Sequence, residues 1–151
     1  PALHGHMAAF YLAEGDLESA EFHLWYVTDF LGFRLGMRGM FAQYQIHLHD
    51  WDYAAAQDVL DMAMGLDRKN LRLWARQAEL YRLQGEPHHA VHLLQSQRFR
   101  FQEHPEMRAV EALSLYDMGE RAEALEIKVR LVELYPGHPA IEPLAVITEE
   151  R

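Results

Sequence analysis

Two turn signals, Gly85-Glu86 and Gly119-Glu120, lie 34 residues apart, and a 34-residue step back from Gly85 lands on Trp51, itself followed by Asp52. A third glycine-acid pair, Gly15-Asp16, lies 36 residues before Trp51, so one interval carries two extra residues. Self-similarity at such a period constrains a fold more than any local propensity, because each unit must bury its apolar face against its neighbours. The same small residue recurs five positions after every turn: Ala20, Ala56, Ala90 and Ala124. Seven positions before the turns stand Ala8, Ala78 and Ala112, with bulky Tyr44 as the exception. Small residues at fixed places let antiparallel helices approach to roughly 8–10 Å.

The intervening segments read as helices. Leu71, Trp74, Ala78 and Tyr81 recur at helical spacing, as do Leu125, Val129 and Val132. Glycine at 85 and 119 suits a left-handed helix end, and Pro87 suits a first turn. His104-Pro105 and Pro136-Gly137-His138-Pro139 punctuate the joints. No stretch alternates with period two, so no strand is expected. The predicted architecture is all-α, with eight helices in four hairpins over about 1–34, 37–70, 71–104 and 105–138. Residues 139–151 form a capping segment or the stub of another repeat. The first helix of the second repeat has an uncertain register, because Gly36, Gly39 and Tyr44 interrupt the pattern.

These residues resemble the tetratricopeptide family. The nearest match is 71–104, with Trp74, Ala78, Tyr81, Gly85, Ala90 and Leu94 where that family places such residues. The endings Leu66-Asp67-Arg68 and Leu134-Tyr135-Pro136 are similar to its repeat ending. The resemblance implies a right-handed α-solenoid in a single repeat domain, which binds a protein or peptide segment in its concave groove. It implies no enzyme and no cofactor. A small secretion or assembly chaperone and a regulatory domain of a larger enzyme or exporter are alternatives. Beginning inside a repeat and without an initiator Met, the chain reads as a piece of something longer.

Half of the residues are hydrophobic and a quarter charged, ordinary values for a folded chain, and no apolar run is long enough to cross a bilayer. Cysteine is absent, which fits cytoplasm and periplasm alike. The net charge of −9 argues against a nucleic-acid surface. That charge is uneven: −7 over residues 1–66, +4 over 67–101 and −6 over 102–151. On the predicted groove helix of the third repeat, Arg72 and Arg76 lie four residues apart, and Glu79 and Arg82 follow. Two guanidinium groups at that spacing can hold one carboxylate or phosphate, which points to an acidic partner. Alternatively, they pair with the acidic flanking repeats. Arg38, Gln45, Arg108 and Tyr116 on the matching helices are further binding candidates. The aromatic run Phe22, Trp25, Tyr26, Phe30, Phe33 is read as packing on the next hairpin, or as a face for a further repeat or a second copy of the chain.

Ten histidines raise a metal question. His88 and His92 share a helix face, and His4/His6 and His47/His49 are further pairs, but none has a third donor in sequence and no His-Glu-x-x-His occurs. Glu120, Glu123 and Glu126 read as a solvated face, and no histidine neighbours Ser19, Ser96 or Ser114 in a way that suggests activation. The reading is therefore no metal and no catalytic site. The register carries its own test: Ala90→Leu should lower stability by about 1–3 kcal/mol through overpacking, whereas Glu123→Leu should leave the thermal melt almost unchanged.

Overall fold

A computed structural model describes residues 2–30, 35–98 and 104–149, excluding the side chains of Ala2 and Phe30. Phe33 of the aromatic run therefore lies outside the described residues. These residues are predominantly helical, with no strand among them. The helices are α1 (Ala2–Ala13), α2 (Leu17–Trp25), α3 (Met37–His49), α4 (Tyr53–Leu66), α5 (Leu71–Leu83), α6 (Pro87–Ser96), α7 (Pro105–Asp117) and α8 (Arg121–Leu134). A π-helical turn, Tyr26–Phe30, extends α2, and a 3-10 helix, Pro139–Val146, follows α8. The chain divides into two compact units, Pro1–Arg68 and Lys69–Arg151.

One backbone device builds every hairpin. Gly15, Gly85 and Gly119 take left-handed φ values of 79°, 81° and 87°, and Trp51 takes the same conformation at 59°. The next residue then donates its N–H five residues back: Asp16 to Tyr11, Asp52 to His47, Glu86 to Tyr81 and Glu120 to Leu115. This bond satisfies helix-end carbonyls that would otherwise lack a donor. The acidic residue also starts the second helix. The carboxylates of Asp16 and Asp52 accept from the backbone N–H groups of Ser19 and Ala55, each at 3.0 Å. The Ser19 bonds hold the Asp16 carboxyl below its usual pKa. Glu86 and Glu120 make no such side-chain cap.

In the first unit, α1 packs on α2 and α3, α2 touches α3, and α3 packs on α4. Ala8, Ala20 and Ala56 are 0% exposed. The second-repeat register resolves: Gly36 is the N-cap of α3, and Tyr44 is buried on its inner side. A Cβ on Gly5 would lie 3.4 Å from the Gly39 backbone nitrogen, so the backbones of α1 and α3 approach closely. Each i→i+5 bond adds a residue to its turn, so the π turn takes up part of the two-residue excess in this interval. Within it the Thr28 hydroxyl donates to the Leu24 carbonyl at 3.0 Å. Phe22 and Trp25 are about half exposed, so the aromatic run is only partly core.

In the second unit, α5 packs on α6 and α7, α6 on α7, and α7 on α8. Ala78, Ala90, Ala112 and Ala124 are fully buried. Trp74 and Tyr81 cover the α5–α6 core from its edge. The 3-10 helix packs on α7 and α8 and buries Leu144 and Ile147. Lys128 occupies the position held by leucine in the other three hairpins, and its ammonium donates to the Ile147 carbonyl. The tail supplies the partner that a further hairpin would supply to a leucine.

Trp51 is 77% exposed and rests only edge-on against Tyr53, so its ring offers little to offset a left-handed backbone. A side chain in that conformation costs on the order of 1 kcal/mol relative to glycine. Trp51→Gly should therefore raise stability by about 1 kcal/mol in chemical denaturation.

Candidate functional site

The second unit holds an open cavity of about 590 Å³ with three walls. The first is the polar face of α5, with Arg72, Arg76, Glu79 and Arg82. Ala109, Val110 and Leu113 of α7 give an apolar floor, and Glu106 stands at its N-terminal end. The third wall is the start of the 3-10 helix, with His138, Pro139, Ala140 and Pro143. His138 caps that helix: its Nδ1 accepts from the Ala140 N–H at 3.1 Å, so the ring proton sits on Nε2.

The four candidates on α5 are thus together, but they already face carboxylates. Glu106 lies between two guanidinium groups, 3.1 Å from Arg72 Nε and 3.6 Å from a terminal nitrogen of Arg76. Arg76 also reaches Glu79 at 3.6 Å, and Arg82 Nε donates to Asp117 at 2.6 Å. Three arginines meet three carboxylates, so the charge of these arginines is matched within this face. The alternative of pairing with acids of the next hairpin is realised for Arg72, Arg76 and Arg82. Arg76 is the most enclosed, with its side chain 19% exposed.

The remaining candidates are elsewhere. Arg108 turns away from the cavity and donates to Glu111, which also accepts from Arg98. Glu111 is 1% exposed, so a buried carboxylate is held by two guanidinium groups. These residues line a separate cavity of about 270 Å³ with Glu123, Glu126 and Arg130. Tyr116 packs on the α7–α8 core, with the Arg121 guanidinium 5.4 Å from its ring centre. Arg38 and Gln45 lie on α3 in the first unit, where Arg38 donates to His6 Nδ1 at 3.0 Å.

Glu106, His138 and the Pro139–Pro143 wall were not among the sequence candidates. Glu106 was within reach, because it stands 34 residues after Arg72, one repeat on at the same register. The proline wall follows no repeat and had no such signal. At the same end of the groove, burial pushes the His104 pKa below the ordinary histidine range; Glu106 opposes this, while Arg72 and His138 add to it. His104 therefore favours the neutral form here.

Among the described residues no three metal donors converge. His88 and His92 are exposed, and His89 Nδ1 contacts Glu86 at 2.8 Å. The Ser114 hydroxyl is buried and donates to the Val110 carbonyl, and Ser19 and Ser96 bond to their own helices. No helix among the described residues is long and apolar enough to cross a membrane. No family model matches the chain, and no curated protein aligns with it.

The two carboxylates predict different costs. Glu111→Gln removes the shared partner of Arg98 and Arg108 in a buried place and should cost about 2–3 kcal/mol. Glu106→Gln acts on partly solvated pairs and should cost less than about 1 kcal/mol. Urea titrations of the two variants compare them directly.

Proposed function

We propose that this chain is a tetratricopeptide-type scaffold that holds an extended segment of another protein in the α5–α7 groove. The observation that carries this reading is the groove itself: an open cavity over an apolar floor, flanked by a row of guanidinium groups on one side and a proline-rich wall on the other. Apolar floors with a few fixed polar groups are how binding sites combine affinity with orientation. The repeated turn and the buried alanines at equivalent positions support hairpins of the kind that stack into a right-handed solenoid. Fold alone does not assign a function, so the reading stands on the groove.

The charge balance refines the partner. Each guanidinium carries five N–H donors in a planar fork, and the carboxylates that hold it also fix its orientation toward a partner segment. A partner segment is therefore recognised by backbone carbonyls and single acidic side chains rather than by a dense acidic run. The acidic segments at both ends of the sequence disfavour strongly acidic partners.

Affinity capture from a cell lysate with wild-type protein and with Arg72→Ala/Arg76→Ala tests this. The variant should lose captured proteins that the wild type retains, with affinity for a purified partner weakened by about 1.5–3 kcal/mol and the helical circular dichroism unchanged. Binding by the wild type should also weaken as salt rises. Equal capture by both proteins would remove these arginines from the site.

A further inference from the structure

Helix α1 is joined to each of its two neighbours through histidines that act as hydrogen-bond acceptors. Toward α2, His4 Nδ1 lies 2.8 Å from His23 Nδ1. Two imidazole nitrogens at that distance share one proton, so one ring donates and the other must present a lone pair. Toward α3, Arg38 donates a terminal N–H to His6 Nδ1 at 3.0 Å. A guanidinium only donates, so His6 must present a lone pair there too.

The contacts that hold these rings in place are aromatic and cationic rather than anionic. Tyr11 of α1 stacks on His23 with centroids 5.3 Å apart, and Tyr26 lies 4.7 Å from His4. Phe22 meets His23 edge-on. Arg38 is the charged group that α3 brings to His6. Among the described residues, no carboxylate forms an ion pair with His4, His6 or His23. Below these contacts the α1 backbone runs close to α3 at Gly5 and Gly39, and Ala8 is fully buried.

We propose that α1 is an acid-released element, whose docking on α2 and α3 is lost when these histidines take up protons. Protonation of His6 turns its acceptor into a donor facing a guanidinium. The His4–His23 pair tolerates one added proton, which goes to an outward Nε2 and leaves one acceptor in the bridge. The second proton removes that acceptor and places two imidazolium rings with centroids 5.1 Å apart. Burial, and then His4, hold the His23 pKa below the ordinary histidine value. A histidine with a lowered folded pKa contributes stability above its unfolded value of about 6.5, and that stability is lost as pH falls toward the folded value. Release therefore sets in as pH falls below about 6.5, and its ligand is the proton. Released, α1 uncovers the inner faces of α2 and α3 around Ala20 and Ala42. This device acts in the first unit and does not depend on the groove reading of the second.

Native-state hydrogen exchange on the full chain, corrected for intrinsic rates, reads the docking of α1 directly. Loss of two ordinary hydrogen bonds corresponds to roughly a 30-fold change in the docking equilibrium. Protection of residues 2–13 should fall by about that factor between pH 7.0 and 5.5, while protection of α8 stays constant. His6→Gln/His23→Gln, which cannot take up these protons, should keep α1 equally protected at both pH values. If that double variant does not fold, His6→Gln alone should show a pH response smaller than wild type by roughly 5-fold. Unchanged α1 protection in the wild type at pH 5.5 would overturn the proposal. An equal loss in wild type and a folded variant would overturn it as well.

Discussion

Close helix–helix approach at one small residue per helix is the constraint from which the rest of the molecule follows. In three hairpins two alanines twelve residues apart are fully buried: Ala8 with Ala20, Ala78 with Ala90, and Ala112 with Ala124. A methyl group at each place leaves no side chain between the backbones, so the helices can pack near the short end of the usual range. The left-handed turn between them sets the register, because its back-reaching hydrogen bond fixes where one helix stops and the next begins. Where the pattern departs, as at Tyr44 opposite Ala56, the larger ring is itself buried and the turn is still made, with Trp51 in the glycine conformation.

The groove is a consequence of that geometry. Equivalent helices α5 and α7 lie side by side, so residues one repeat apart meet, and Arg72 faces Glu106 across the gap. Charge on one repeat is answered by charge on the next. A net excess of basic residues in a stretch of sequence therefore says little about the potential above its surface. The buried Glu111 shows the same principle with more at stake, since it couples α7 to Arg98 beyond the end of α6.

The hairpins, the turns and the buried alanines were legible because they are local and recur, so four weak signals reinforced one another. The ion pairs were half legible: Arg72 and Glu106 are in register, but partner choice depends on rotamers that no spacing encodes. Arg108 illustrates the limit. It holds the same helix as the groove floor, yet it turns to Glu111 because a buried carboxylate outcompetes solvent for its guanidinium. The wall Pro139–Pro143 and the histidine contacts His4–His23 and His6–Arg38 occur once each, and periodicity is silent on single events.

Methyl-resolved NMR tests most directly whether equivalent alanines form the helix–helix contact inside these three hairpins. With alanine methyls labelled, direct nuclear Overhauser contacts are expected from Ala78 to Ala90 and from Ala112 to Ala124 in the folded protein. If those methyls show contacts only to residues of their own helices, the hairpin packing described here is wrong.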